Sequence, residues 1–428
     1  MLTIILITVA IYLAYLISFG AKKNLFRFRL IYLCSFVLVY LMPFLNADSK
    51  QSWFTDSDFL FYIYSSFVIS VLLIEILFVP LTHTSYGTVK VLYRINHNKR
   101  KFITITICLI YILLIFILLK NANFNLINLL FSNRVGGYLD DINNFNFALS
   151  YLTNALHITT IMMAFTFAKE GKLSKAILLY FLVVFYIFLT THTRYVLMTY
   201  VAIPFLYYHF YVRRFKLIGV ILAILAASVY LSVANFFRTG VAQDYAISDI
   251  VNYETVVSQI EITSVEDFYS VHEKVNSNET EIEYGKQYFY YLPLTVIPRS
   301  IWPEKPYVSY FWRLTEIVTG NYPGPKQFVL TSTFFGEAYH QFGFSGPLLS
   351  ILIYMVLLIF LIKKITEIEG AEPLIWLILI HIPMDIRGGL NSIIITFLVY
   401  YLMLIILKKL SFFEFRPSGT KKFIRNYI

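Results

Sequence analysis

Long apolar runs, each broken by a short polar stretch, fill most of the chain. A bilayer core about 30 Å thick asks for roughly 20 apolar residues in a helix. With that ruler the chain divides into about eleven spans, near 2–19, 31–46, 59–81, 102–119, 148–168, 175–190, 195–212, 216–235, 345–362, 372–384 and 390–407. No basic leader precedes the first and no small-residue cleavage site follows it, so it reads as a helix of the mature chain. The tenth is the shortest. Outside the spans, 286–297 and 308–319 read as interfacial amphipathic helices, the second ended by Gly320, Pro323, Gly324 and Pro325. The string LTSTFFGEAYHQFGFSG reads as a Ser/Thr cap and a short helix that stops at Gly343 or Gly346 and delivers the chain into the ninth span.

Composition agrees with that pattern. With 428 residues, 58% hydrophobic, only 14% charged and a mean hydropathy of +0.68, the chain is expected to be an all-α polytopic membrane protein of ten to twelve transmembrane helices. Its 34 Tyr and 40 Phe suit interfacial belts. The basic clusters AKKNLFRFR, YRINHNKRK, KEGKLSK, VRRFK, the Lys363–Lys364 pair and the C-terminal tail all fall on one side of the alternating spans. Basic residues in short loops stay cytoplasmic, so the C-terminus is expected inside and, with an odd number of spans, the N-terminus outside. The net charge of +10 is largely this signal. It is scattered over helix ends rather than gathered on one face, which argues against nucleic acid as a partner.

The same parse gives an N-terminal bundle over 1–235, one large extracytoplasmic segment over 236–344, C-terminal membrane helices over 345–408 and a basic cytoplasmic tail over 409–428. A connection as long as 236–344 is uncommon unless functional. From Asp244 to Glu283 it carries ten carboxylates against one Lys, and reads as a solvated, partly helical flap. From Tyr284 to Gly346 it turns aromatic and rich in Pro and Gly, which suits a folded cap on the outer membrane face rather than disorder. Within it PRSIWPEKP sets three prolines around Arg299, Trp302, Glu304 and Lys305, so the backbone there is stiff.

The chain has no phosphate-loop, zinc-protease, CxxC, serine-elbow or EF-hand pattern. Its eight histidines are dispersed, and Cys34 and Cys108 each lie inside an apolar run, so neither a disulfide framework nor a zinc site is expected. What the outer side offers is arginine: Arg134, Arg194, Arg238, Arg299, Arg313 and Arg387. A guanidinium makes paired, charge-assisted hydrogen bonds and keeps its proton, so several converging on one point would bind a pyrophosphate. The competing reading is snorkelling of helix-end arginines to lipid headgroups. Trp302 has two readings as well, stacking on a sugar or anchoring the cap in the headgroups. Lys305 and Glu304 suit a surface ion pair, and Asp385 is the expected partner of Arg387.

Three stretches carry a family resemblance: IPRSIWPEKP, GEAYHQFGFSG and the arginine-led helix start THTRYVLM. Together they resemble the Wzy-type O-antigen and oligosaccharide repeat-unit polymerases. The resemblance implies a bacterial inner-membrane glycosyltransferase with a fold like that of the C-type glycosyltransferases. It implies donor and acceptor oligosaccharides both carried on undecaprenyl pyrophosphate, no cofactor and no metal, and a chain-length regulator as a partner besides membrane lipid. Charge developing on such a leaving group needs cations, expected at Arg194, Arg299 and Arg387. The acidic residue of the family string makes Glu337 the expected base, with His340 one helical turn on as the second choice, and further substrate contacts are expected at Arg238, Trp302, Lys305, Arg313 and Tyr339. The alternatives are an O-antigen ligase and a lipid-linked oligosaccharide flippase. A flippase is expected to have more spans and short loops on both sides.

Overall fold

A computed structural model describes residues 1–20, 28–46, 52–78, 93–121, 123–124, 145–190, 200, 203–204, 263–294, 297, 301–302, 304–306, 310–320, 330, 332–368, 372–409 and 413–415. The seventh and eighth expected spans, 195–212 and 216–235, lie almost wholly outside them.

The described residues form an all-α assembly with a single two-stranded ribbon. Helix α1 is Leu2–Tyr15, α2 is Phe28–Phe36 and α3 is Ser57–Leu73; α1 and α3 run on into π-helical turns, Leu16–Gly20 and Ile74–Phe78, and α2 continues through one at Val37–Leu41. Strand β1 (Tyr93–Ile95) leads into α4 (His97–Asn121), followed by α5 (Phe145–Lys169) and α6 (Leu173–Thr190). The segment 236–344 contributes α7 (Thr263–Asn276), a π-helical turn at Gln287–Tyr291 and α8 (Tyr310–Thr319). Then come α9 (Thr333–Phe342), α10 (Gly346–Thr366), α11 (Glu372–Lys409) and β2 (Phe413–Phe415).

Among the described residues, Ser57–Ile76, Lys99–Lys120, Thr333–Thr366 and Leu374–Asn391 are long and apolar enough to cross a bilayer. Shorter apolar helices at Leu2–Ser18, Phe28–Phe44, Ala155–Lys169, Leu173–Ile187 and Ile393–Ile405 match further expected spans. The chain is a multi-pass membrane protein.

Helix α11 organises the bundle, packing against α2, α5, α9 and α10. Its backbone is non-helical at Gly389, with φ 80° and ψ 169°. Tyr354 of α10 hydrogen-bonds Asp385, while Phe360, less than two turns further along α10, packs its ring 5.3 Å from Tyr401. A straight helix would hold Asp385 and Tyr401 about 24 Å apart, so α11 turns back on itself. Its two arms, before and after Gly389, cover the residues of the tenth and eleventh expected spans and are joined without a loop.

The end of the bundle away from this tip is tied by backbone and charge. Strands β1 and β2 pair antiparallel, Arg94 opposite Glu414 in register. Arg100 at the start of α4 pairs with Glu170 in the α5–α6 turn and lies 3.8 Å above the Phe167 ring. Between α1, α2 and α3, the two oxygens of Glu75 accept from Arg29 at 3.1 and 3.2 Å, and one also accepts from the Tyr12 hydroxyl at 2.9 Å. Asp56 begins α3 by accepting from the backbone N–H groups of Asp58 and Phe59 at 2.9 and 3.0 Å. The Asp56-Ser57-Asp58 stretch thus uses Asp56 as a helix cap.

Candidate active site at the hairpin tip

Helix α9 packs against α7 on one side and α10 and α11 on the other. It starts as the sequence suggests, with one refinement. The cap is Thr333 rather than Ser332: the Thr333 hydroxyl accepts from the Gly336 N–H at 3.3 Å. Thr333 adopts φ 66°, a left-handed conformation that costs a β-branched residue energy and that persists only where surrounding contacts enforce it. The helix stops at Gly343, and the chain then turns sharply into α10. A Cβ on Gly346 would sit 2.2 Å from the Ala338 carbonyl oxygen, so glycine is what lets the two helices touch there.

The turn brings Glu337 against the tip of the α11 hairpin. Its carboxyl is fully buried, and Oε1 accepts from the backbone N–H of Asn391, at the start of the second arm, at 3.0 Å. Free N–H groups and the positive end of the dipole make a helix start a good seat for a carboxylate. Oε2 lies against Gly389, where any Cβ would be 1.9 Å away. The Tyr288 hydroxyl faces Glu337, yet neither Oε2 nor that hydroxyl completes a hydrogen bond of good geometry among the described residues. A buried polar atom left in that condition costs about 1–3 kcal/mol, and so calls for a reason.

A polar network surrounds this carboxyl. Gln287 donates from Nε2 to Asn391 Oδ1 at 3.3 Å and accepts from Arg313 at 2.5 Å. Arg313 also pairs with Glu283 and stacks 3.6 Å above the Tyr291 ring. Glu283 in turn accepts from Gln341 Nε2 at 2.6 Å, and Gln341 Oε1 accepts from the Gln287 N–H at 3.1 Å. The backbone of 283–285 donates to the last carbonyls of α9, His340 and Gln341, at 3.0 and 3.2 Å. Burial pulls the Arg313 guanidinium down to about 10, still charged at neutral pH, and it is near enough to act electrostatically on Glu337.

The expected site residues distribute unevenly. Glu337, His340, Arg313 and the hairpin tip carrying Arg387 come together. His340 is buried with Nδ1 3.2 Å from the Tyr310 hydroxyl. Arg387 is half-buried, two residues before the break. Tyr339 points the other way, its hydroxyl donating to Asn276 of α7 at 2.6 Å and its ring 4.8 Å from Tyr62. Trp302 lies at the surface beside the highly exposed Ile301. Lys305 turns its ammonium inward, donating to the Leu294 and Ile297 carbonyls at 3.2 and 2.6 Å rather than to the adjacent Glu304. It therefore braces the loop carrying Trp302. Arg134, Arg194, Arg238 and Arg299 lie outside the described residues.

Two expectations change. Asp385 bonds to Tyr354 at 3.2 Å and not to Arg387; residues two apart on a helix point to opposite sides. Glu283, read as part of a solvated flap, is held inside the cap by Arg313 and Gln341. Sequence reasoning also missed Gln287, Tyr288 and Asn391, which carry no motif. The Gly388–Gly389 pair, between two apolar runs, was the available signal for the tip. Family models, curated proteins and solved structures offer no match to this chain.

Proposed function

We propose that this protein joins lipid-linked oligosaccharide repeat units at the outer face of a bacterial inner membrane, as the resemblance to the Wzy-type polymerases implies. In this reading about eleven helices span the membrane, the C-terminus is cytoplasmic, and the segment 236–344 is a cap of the kind C-type glycosyltransferases carry. The observation that supports it most is the state of Glu337: a buried carboxyl with one oxygen seated on a half-helix start and the other unmatched, directly under the cap.

The chemistry follows from that position. The acceptor sugar hydroxyl gives its proton to Glu337 Oε2 as its oxygen attacks the donor anomeric carbon. The bond from that carbon to the phosphate oxygen breaks, and the lipid pyrophosphate leaves with the electron pair. Arg194, Arg299 and Arg387 offset the charge that develops on it. A single displacement inverts the anomeric centre. Arg313 and Gln287 belong to the frame rather than to the phosphate site, because their polar atoms are already committed to Glu283, Tyr291 and Asn391. Glu337 is sealed, so α7 and α8 part from the hairpin tip to admit the sugar.

Incubating the purified protein in lipid with a defined undecaprenyl-pyrophosphate repeat unit, without nucleotide sugar, tests the reading. A ladder of lengthening products is expected. Transfer only to an added lipid A core acceptor would mean a ligase, and movement of intact repeat units across the bilayer without new bonds would mean a flippase.

A further inference from the structure

Between α10 and the two arms of α11 lies a cavity lined mostly by apolar residues, among them Leu358, Ile378 and Phe397, but also by Tyr354, His381, Asp385, Thr396 and Tyr400. Water-sized spheres can occupy about 30 Å³ of it. A water needs roughly 10–15 Å³ by that measure together with two to four polar partners. The cavity thus accommodates one or two waters and is far too small for a sugar or a lipid chain.

His381, Asp385 and Gly389 recur at four-residue spacing, so they share one face of the first arm with about 6 Å of rise between steps. Glu337 occupies the space over Gly389. Three titratable side chains therefore stand in a row from the hairpin tip into the bundle: Glu337, Asp385, His381. Asp385 is buried with the Tyr354 hydroxyl as its hydrogen-bond partner, and His381 makes no hydrogen bond among the described residues. The other titratable or charged groups near this row are Tyr288, Tyr310 and Arg313 of 283–319 around Glu337, Tyr354 on α10, with Tyr32 of α2 behind it, and Tyr400 on the second arm, with Tyr200 behind it. Ionisable side chains at membrane depth cost free energy, and are most often retained for proton or ion handling.

We propose that Asp385 and His381, bridged by cavity water, form an intramembrane proton site that relays the proton collected by Glu337. The proton passes from the Glu337 carboxyl to the Asp385 carboxylate and on through cavity water to a ring nitrogen of His381, and after transfer it returns by the same groups to an oxygen of the released pyrophosphate. Each donor keeps its bonding electron pair, so Glu337 returns as a carboxylate ready for the next acceptor hydroxyl. The relay rests on the function proposed above; the proton site itself does not.

Infrared difference spectra of the full-length protein in lipid nanodiscs, without substrate and across a pH series, test the site. A carboxylic C=O band is expected that vanishes in Asp385→Asn. Tyr354→Phe, which preserves shape, should shift the band's frequency, and His381→Gln should move the pH at which it appears. Identical spectra from wild type and Asp385→Asn, or no such band in wild type, would overturn the site. In the elongation assay, Asp385→Asn should slow turnover about tenfold with KM unchanged, well short of the ~10²–10⁴ carried by a direct acid or base. An unaffected rate would overturn the relay. If wild type makes no ladder while the band still disappears in Asp385→Asn, the polymerase reading fails and the proton site stands.

Discussion

Glu75 and Glu337 are both carboxyls set among packed helices, one within a π-helical turn and the other facing one, yet they are held in opposite ways. Both oxygens of Glu75 are matched by Arg29, one of them by Tyr12 as well. Glu337 rests on the backbone N–H groups at the start of the second arm, Asn391 at 3.0 Å with Leu390 beside it. Its second oxygen completes no hydrogen bond of good geometry among the described residues, and its cation, Arg313, is bound to other partners. A matched ion pair is a staple: removing one member strands the other, at about 3–5 kcal/mol when fully buried. A buried carboxyl without a matched cation costs the resting fold free energy. The pair sets a structural carboxyl beside the one that the proposed function uses, within one bundle.

The comparison can be broken at the tip first. Gly389→Ala puts a Cβ 1.9 Å from Glu337 Oε2 at a backbone φ of 80°. Overpacking and left-handed strain together should cost about 3 kcal/mol. A melting temperature equal to wild type in detergent would show that the carboxyl is not locked against the turn.

Next comes the staple. Glu75→Gln should cost about 2–3 kcal/mol, somewhat under the fully buried figure because the Glu75 side chain keeps 22% exposure. Any product made by the folded fraction should keep its wild-type length distribution. Arg29→Gln with Glu75→Gln should recover part of the loss, since it leaves no charge stranded; full additivity of the two single losses would contradict a direct pair.

A smaller effect is expected in the frame. Arg313→Lys removes the fork that holds Glu283 and Gln287 at once, costing about 1–2 kcal/mol. In the proposed function Arg313 positions Glu337 through Gln287 and Asn391, so turnover should fall while donor affinity holds. A weaker KM with unchanged kcat would return Arg313 to the phosphate site.

The smallest concerns acid. His272 of α7 is 3% exposed against Phe59, Tyr62 and Tyr339, and burial lowers its pKa from the usual 6.5 against a weaker pull upward from Asp56 and Asp58. The unfolded chain then binds a proton that the fold resists. The contribution of His272 is fully present above the folded value's upper neighbour, the unfolded pKa near 6.5, and shrinks as pH falls below it. Melting curves at pH 7.5 and 5.5 should differ, and the difference should narrow in His272→Gln.

Much of this fold was legible because bilayer thickness and backbone bonding leave few options: apolar runs of about 20 residues become helices. The two arms of α11, the stop at Gly343 and the cap helix at 310–319 all appear where glycine, proline and amphipathic spacing put them. Glu337 and His340 were legible only through a string resemblance. Gln287, Asn391 and Glu283 were not legible at all, since their roles arise from contacts as many as 104 residues apart in sequence, as between Gln287 and Asn391. Lys305 misled because a Lys beside a Glu suggests a surface pair, whereas the Leu294 and Ile297 carbonyls offered its ammonium better seats inside.

The central claim is that Glu337 acts on substrate rather than holding the fold. Glu337→Gln keeps the size and the contact to Asn391 while removing the charge. Melting temperature and ladder formation, measured on one preparation reconstituted in lipid, decide it: the account predicts a melting temperature equal to or above wild type, with elongation reduced by about 10²–10⁴. Wild-type ladders from this variant, or a protein that no longer folds, would contradict it.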